Sequence, residues 1–128
     1  MTQAKRILIV EDDRVLRRAC EVGLRKRGYE VVTAIDGADG LAAALAQPFD
    51  LVLLDMLMPR MSGLEMLTEL RRQAPDQMTP VLVLSNSSRV GDRDATRALG
   101  IAGYMVKASL SLDHLAGLVE TITTGGQV

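Results

Sequence analysis

Three unbroken apolar runs constrain this chain more than any other feature: ILIV at 7–10, LVLL at 51–54 and VLVL at 81–84. None alternates polar with apolar residues, so a strand built from any of them has two faces to bury. A parallel sheet answers that need, because its crossover connections lay helices over both faces. The segments between the runs supply those helices. Residues 14–27 carry Leu16, Cys20 and Leu24 at helical spacing, and Gly28 stands where a C-terminal cap glycine belongs. Asp36 can cap a helix over 38–46, which Pro48 stops. Ser62 and Glu65 form the S-x-x-E pattern of a capping box, opening a helix that runs to about residue 73. A weaker helix is expected over 90–99, where apolar residues are few, and it should be the least stable. Ser111 can cap a last helix through 122. Residues 29–34 and 104–106 read as the remaining strands. Five β/α units in succession predict an α/β fold with right-handed crossovers.

Composition excludes several classes. The chain has 128 residues, enough for one domain with a real core, and its 48% hydrophobic and 24% charged residues are ordinary for a globular protein. Fifteen Lys and Arg are interspersed among sixteen acids for a net charge of −1, which gives no electrostatic ground for direct nucleic-acid binding. Cys20 is the only cysteine, so neither an internal disulfide nor a zinc motif is available. No apolar run approaches the ~18 residues of a membrane span, and MTQAKRILIV is not a signal peptide, so no membrane association and a cytoplasmic setting are expected.

In a sheet of this kind, ligands bind beyond the carboxyl ends of the strands. The first strand ends in Glu11, Asp12 and Asp13, the third in Asp55, the fourth in Ser85 and the fifth in Lys107. The second ends in Ala34 and Ile35, which offer no chemistry. Carboxylates gathered at one edge repel each other unless they bind protons or a cation. A hard divalent ion such as Mg²⁺ suits oxygen donors. A hydroxyl and an ammonium on the other side suit the oxygens of a phosphoryl group. Asp55, between the two sets, is placed to act as a nucleophile toward phosphorus.

The pieces ILIVEDD, LVLLDMLMPRMSG, Ser85 after VLVL, and GYMVK together resemble the receiver domain of the two-component response regulator family, over essentially the whole chain. Asp55 to Gly63 matches the family's D-x-x-M-P-x-x-x-G. Ser85 and Lys107 follow Asp55 at close to the family's offsets, 85 − 55 = 30 and 107 − 55 = 52 residues. The resemblance implies a flavodoxin-like (βα)5 fold with strand order 2-1-3-4-5, a receiver domain over residues 1–124 and a flexible tail at 125–128. It implies that Asp55 takes a phosphoryl group from a histidine kinase or histidine phosphotransfer protein. It further implies Mg²⁺ held by Asp12, Asp55, the backbone carbonyl of Leu57 and, through water, Glu11. Lys107 pairs with Asp55 before transfer and with a phosphoryl oxygen after it. Ser85 bonds another phosphoryl oxygen, and Tyr104 swings inward as the switch. The face of the fourth helix, fifth strand and fifth helix then signals to a downstream partner or an output domain absent from this chain. Partner specificity points to Val15, Leu16, Arg18 and Ala108.

Each of these residues has a plainer reading by itself. An acid at a strand end is commonly a turn or cap residue, Ser85 alone is a turn hydroxyl, and Lys107 alone can snorkel. Only the constellation promotes them. Asp13 reads as a loop acid or helix cap, His114 as a surface or packing residue, Cys20 as inert, and Met56, Met58, Met61 and Met66 as packing. Three positions depart from the family pattern. Ala108 replaces a proline, and a cis bond before a non-proline costs ~3–4 kcal/mol, so a trans bond and a rearranged loop are expected. Asn86 stands where a small residue is usual. Leu57 has no group to orient an attacking water, and Ser87 is a weak substitute, so self-dephosphorylation should be slow. The competing functions are a receiver-like scaffold that binds without phosphorylation and an aspartyl-nucleophile phosphatase. The phosphatase requires an acid two residues beyond the nucleophile, and Leu57 cannot serve.

Overall fold

The computed structural model describes residues 3–86 and 90–126, with backbone only for 90–93. The elements follow in strict alternation: β1 (Arg6–Val10), α1 (Arg14–Lys26), β2 (Glu30–Ala34), α2 (Gly37–Ala46), β3 (Leu51–Asp55), α3 (Gly63–Gln73), β4 (Val81–Ser85), α4 (Val90–Arg97), β5 (Gly103–Val106) and α5 (Leu112–Thr123). The strands form one parallel sheet in the order β2-β1-β3-β4-β5, as expected.

The unbroken apolar runs do what two-sided burial requires. Ile7, Ile9, Leu51, Leu53, Leu82 and Leu84 face a layer with Cys20 and Leu24 of α1 and Leu115, Val119 and Ile122 of α5. The alternate residues Leu8, Val10, Val52, Leu54, Val81 and Val83 face Ala44 of α2 and Met66, Leu67 and Leu70 of α3. Each such Leu, Val or Ile contributes ~1.5–3 kcal/mol on burial, so the central strands are the most strongly held part of the sheet.

The caps hold where the sequence placed them. Asp13 accepts from the Val15 and Leu16 amides at the start of α1, which settles its role as a helix cap. Asp36 accepts from Asp39, Ser111 from His114, and the Ser62–Glu65 capping box is complete. Gly28 takes φ 93 just beyond α1, a left-handed turn that glycine adopts without a steric cost. Boundaries shift by a residue or two. Among them, α4 ends at Arg97 rather than 99, because Leu99 and Gly100 turn back to bond the Thr96 and Arg97 carbonyls. At the C-terminus Gly125 and Gly126 donate to the Ile122 and Thr121 carbonyls and close α5.

The strand order reverses between β1 and β3, which opens a crevice at their carboxyl ends. Register then sets the site. Val10 pairs with Leu54, so Glu11 and Asp55 emerge side by side. Asp55 pairs with Leu84, and Ser85 pairs with Val106, so Ser85 and Lys107 follow one step beyond on the same rim.

Candidate functional site

Glu11, Asp12 and Asp55 each offer a carboxylate oxygen within 4.8 Å of the others. Glu11 and Asp55 are buried and Asp12 is exposed, so the cluster opens to solvent on one side. The β1–α1 loop that carries two of these acids is tied from behind. Asp13 donates its amide to Glu11 Oε2 at 3.0 Å, and Arg17 Nη1 donates to the Glu11 and Asp12 carbonyls at 2.9 and 3.3 Å.

Lys107 closes the other side. Its Nζ lies 3.0 Å from Asp55 Oδ1, the pairing expected of it, and 2.8 Å from Glu11 Oε1, which was not foreseen. The Glu11 contact is at ion-pair distance but out of line for a hydrogen bond. The Leu57 amide adds a long bond to Asp55 Oδ1 at 3.4 Å. Asp55 Oδ2 is buried and has no hydrogen-bond partner among the described residues. One oxygen of the carboxylate is thus held, and the other has its lone pairs uncommitted.

The electrostatics agree with that division. Burial, then the charge of Glu11, pushes the Asp55 carboxyl up to about 7, with Lys107 opposing. Burial works against the charge on Lys107, but its pairing with Glu11 and Asp55 outweighs it and raises the ammonium's pKa. The site therefore has an excess of buried negative charge, which a divalent cation would relieve. The donor set is all carboxylate oxygen, and with the orphaned Asp55 Oδ2 it fits Mg²⁺.

The loop after β3 is shaped by Gly63. A Cβ at this position would lie inside the contact radius of the Asp55 carbonyl oxygen, and the Gly63 amide donates to Met56 at 3.0 Å. The glycine of D-x-x-M-P-x-x-x-G is thus a close-approach residue against the backbone of the aspartate itself. Leu57, 70% exposed, sits in this loop.

The remaining predicted residues fall as follows. Ser85 is fully buried at the end of β4. Tyr104 lies on β5 opposite Val83, half-buried against the α2–α3 layer. The Lys107–Ala108 bond is trans, as expected, and the loop takes a 3-10 turn over Lys107–Ser109, with Leu110 donating to the Lys107 carbonyl at 3.0 Å. Val15 is 80% exposed and Arg18 points outward to pair with Glu21, whereas Leu16 packs against the α1–α5 layer. Ala108 and Asn86 are exposed. His114 is exposed within α5, and Met56, Met58, Met61 and Met66 belong to the α2–α3 layer. Cys20 is buried, and burial with the nearby Glu11 charge pushes its thiol up to about 11, so it is inert as expected. Ser87 lies outside the described residues.

Three participants were missed by sequence reasoning: Arg17 behind the acidic loop, and the pair Asp36–Arg60 beside it. Asp36 was read only as a helix cap. A buried acid followed by an arginine in a proline-glycine loop leaves no periodic signal; only the sheet topology brings them together.

Comparison with known proteins supplies a common frame. The family model described as response regulator receiver domain matches residues 7–120. The response regulator ArlR of Staphylococcus aureus is 40% identical over 122 residues, which covers 95% of this chain and 52% of that protein. The chain thus spans about half the length of the curated relatives it matches. Among solved structures, the chemotaxis protein CheY4 of Vibrio cholerae superimposes with a TM-score of 0.86 at 30% identity, covering 94% of this chain and 99% of that one. The response regulator protein TrrA of Thermotoga maritima, solved in complex with Mg²⁺–BeF, gives 0.80 at 32% identity, covering 92% and 98%.

Proposed function

The chain belongs to the response regulator receiver domain family, and from that membership we propose that Asp55 is the phosphoacceptor of a Mg²⁺-dependent signalling module. The observation that carries this assignment is the asymmetry of its carboxylate. Oδ1 is occupied by Lys107 and the Leu57 amide, while Oδ2 is buried without a partner among the described residues.

The donor is a phosphohistidine of a histidine kinase or histidine phosphotransfer protein. Asp55 attacks phosphorus, a P–O bond forms, the P–N bond breaks, and its electron pair returns to the imidazole. Asp12, Asp55 and the Leu57 carbonyl would hold Mg²⁺, with Glu11 acting through water. When bound, the ion offsets the charge of the acids and of the phosphoryl oxygens. Lys107 moves its contact from the carboxylate to a phosphoryl oxygen, and Ser85 donates its hydroxyl to another. Tyr104 follows inward, and the surface of α4, β5 and α5 changes for a downstream partner or an output domain. A switch from 1:99 to 99:1 needs ~5.5 kcal/mol, and one charge-assisted bond supplies ~1.5–3 kcal/mol. Ser85 and Lys107 together are about sufficient, so Ser85→Ala should leave a partial switch.

The exposed Val15, Arg18 and Ala108 form the rim that a donor would meet, with Leu16 fixing the helix behind them. No helix among the described residues is long and apolar enough to cross a membrane. The module is a phosphoacceptor, with at most slow self-dephosphorylation as its own activity.

Incubation with acetyl phosphate and Mg²⁺, followed by intact mass, tests the assignment. One added phosphate is expected in the wild type and none in Asp55→Asn. Addition that persists in Asp55→Asn would transfer the role elsewhere. No addition under any Mg²⁺ condition would favour the phosphorylation-independent scaffold.

A further inference from the structure

We propose that the first turn of α2 is a positioning brace for the acid-bearing loops, with Asp36 and Arg60 as its adjustable tie. The proposal rests on the assignment of Asp55 and Leu57 to the metal and phosphoryl site.

Asp36 is 1% exposed, yet it is an ionised side chain with two separate duties. Its Oδ1 accepts the Asp39 amide at 2.8 Å and caps α2. Its Oδ2 receives Nη2 of Arg60, reaching in from the loop between β3 and α3. The Asp39 amide, together with Arg60, holds the Asp36 carboxyl below the usual carboxylate range, so the tie is ionic across the neutral range. Arg60 has φ 67, the one left-handed non-glycine residue among those described. L-residues rarely adopt that conformation, and a glycine would sit there without strain. The arginine side chain therefore has a use that offsets its backbone, and the bond to Asp36 is that use.

Two close approaches make the tie a ruler rather than a loose contact. The Gly37 amide donates to the Met61 carbonyl at 3.1 Å, and a Cβ on Gly37 would enter the radius of that oxygen. One turn on, a Cβ on Gly40 would come within 2.8 Å of both Val10 γ-carbons. Val10 immediately precedes Glu11, and Met61 lies in the loop that begins at Asp55. The same helical turn thus spaces the loop after β1 from the loop after β3. Leu57, whose amide bonds Asp55 Oδ1, is suspended between the strand and this tie. Arg60 and Asp36 touch no reacting atom. They set where the Leu57 carbonyl and the Asp55 carboxylate stand relative to Asp12.

The test compares the wild type with Arg60→Gly, Arg60→Lys and Asp36→Asn, using Arg72→Ala as an exposed control. Arg60→Gly removes the tie while relaxing the backbone; the two effects oppose each other, so it should still fold, with a melting temperature near that of the wild type. Two readouts follow. Amide hydrogen exchange at Leu57 without Mg²⁺ should accelerate in Arg60→Gly and Asp36→Asn. Half-saturating Mg²⁺ for labelling by acetyl phosphate should rise about tenfold in those variants, with the limiting rate little changed. Arg60→Lys should recover part of both effects, and Arg72→Ala should match the wild type. Wild-type exchange at Leu57 in Arg60→Gly, or wild-type Mg²⁺ dependence, overturns the brace. If the wild type itself takes no phosphate at any Mg²⁺ concentration, the phosphoacceptor assignment fails instead. Leu57 exchange then decides the brace alone.

Discussion

Gly63 stands so close to the backbone carbonyl of Asp55 that no side chain fits between them. The start of α3 and the end of β3 are therefore one packing unit. Gly63→Ala must push the helix off the strand or distort the aspartate. Overpacking of this kind costs about 1–3 kcal/mol, and here the obstacle is main chain rather than a flexible side chain. We expect an unfolding free energy lower by that amount, seen as a lower urea midpoint, and weaker Mg²⁺ binding. An unchanged midpoint would contradict the close approach.

The raised pKa of Asp55 predicts a particular dependence on pH. Burial and Glu11 lift the carboxyl from 3.8 to about 7, so between those values the folded protein holds a proton that the unfolded chain releases. Where the folded state binds more protons, stability falls as pH rises. The wild type should therefore lose stability from about pH 4 to pH 7 through this group. Asp55→Asn lacks the penalty, so it should match the wild type near pH 4 and exceed it by about 1–3 kcal/mol at pH 8, allowing for partial solvent screening. Mg²⁺ should narrow the gap by stabilising only the wild type. Parallel urea titrations at the two pH values measure this, and a gap that is constant with pH would contradict it.

Legibility of the site in the sequence follows from where its signals lie. Asp55, Ser85 and Lys107 each end a strand of apolar residues, and helix caps after Asp13, Asp36, Ser62 and Ser111 mark where each loop gives way to a helix. Strand ends and caps are local features, so one chain displays them. The contact of Lys107 with Glu11 joins residues at opposite ends of the sequence and arises from registers across β1, β3, β4 and β5. Nothing local announces it. Arg60 was hidden for another reason: a charged residue between Pro59 and Ser62 reads as a solvated loop, and its left-handed backbone would have been signalled only by a glycine or asparagine. Helix α4 is the least informative stretch, since few apolar residues mark its face and residues 87–89 lie outside those described.

Arg71 predicts a structural weak point away from the site. Its guanidinium has no carboxylate partner among the described residues. It donates instead to the carbonyls of Leu99 at 2.9 Å, Gly100 at 3.1 Å, Thr79 at 3.2 Å and Gln77 at 3.4 Å. Those carbonyls belong to the chain entering β4 and the chain leaving α4, so one side chain of α3 fastens both. Arg71→Ala should cost about 2–4 kcal/mol, because bonds from a charged donor are lost and their acceptors stay partly buried. Arg71→Lys cannot span four acceptors and should recover less than half. Hydrogen exchange at residues 100–102 should accelerate in both variants. Protection equal to the wild type would mean that the chain after α4 is held by other contacts.

On the proposed function, Leu57 is expected to set the lifetime of the phosphorylated form. Hydrolysis of an acyl phosphate needs a water aligned opposite the carboxylate oxygen, and a polar side chain at the mouth of the site can align it. Leu57 stands two residues beyond Asp55, is 70% exposed and has only methyl groups to present. An apolar residue there excludes water without directing it. Phosphate measured by intact mass after removal of the donor should therefore persist for many minutes. Leu57→Asn should shorten that lifetime by about tenfold, well below the ~10²–10⁴ expected of a positioned general base, since an amide orients water but takes no proton. The substitution is at an exposed position, so the melting temperature should be little changed. Loss of phosphate from the wild type within seconds would show that another group already aligns the water.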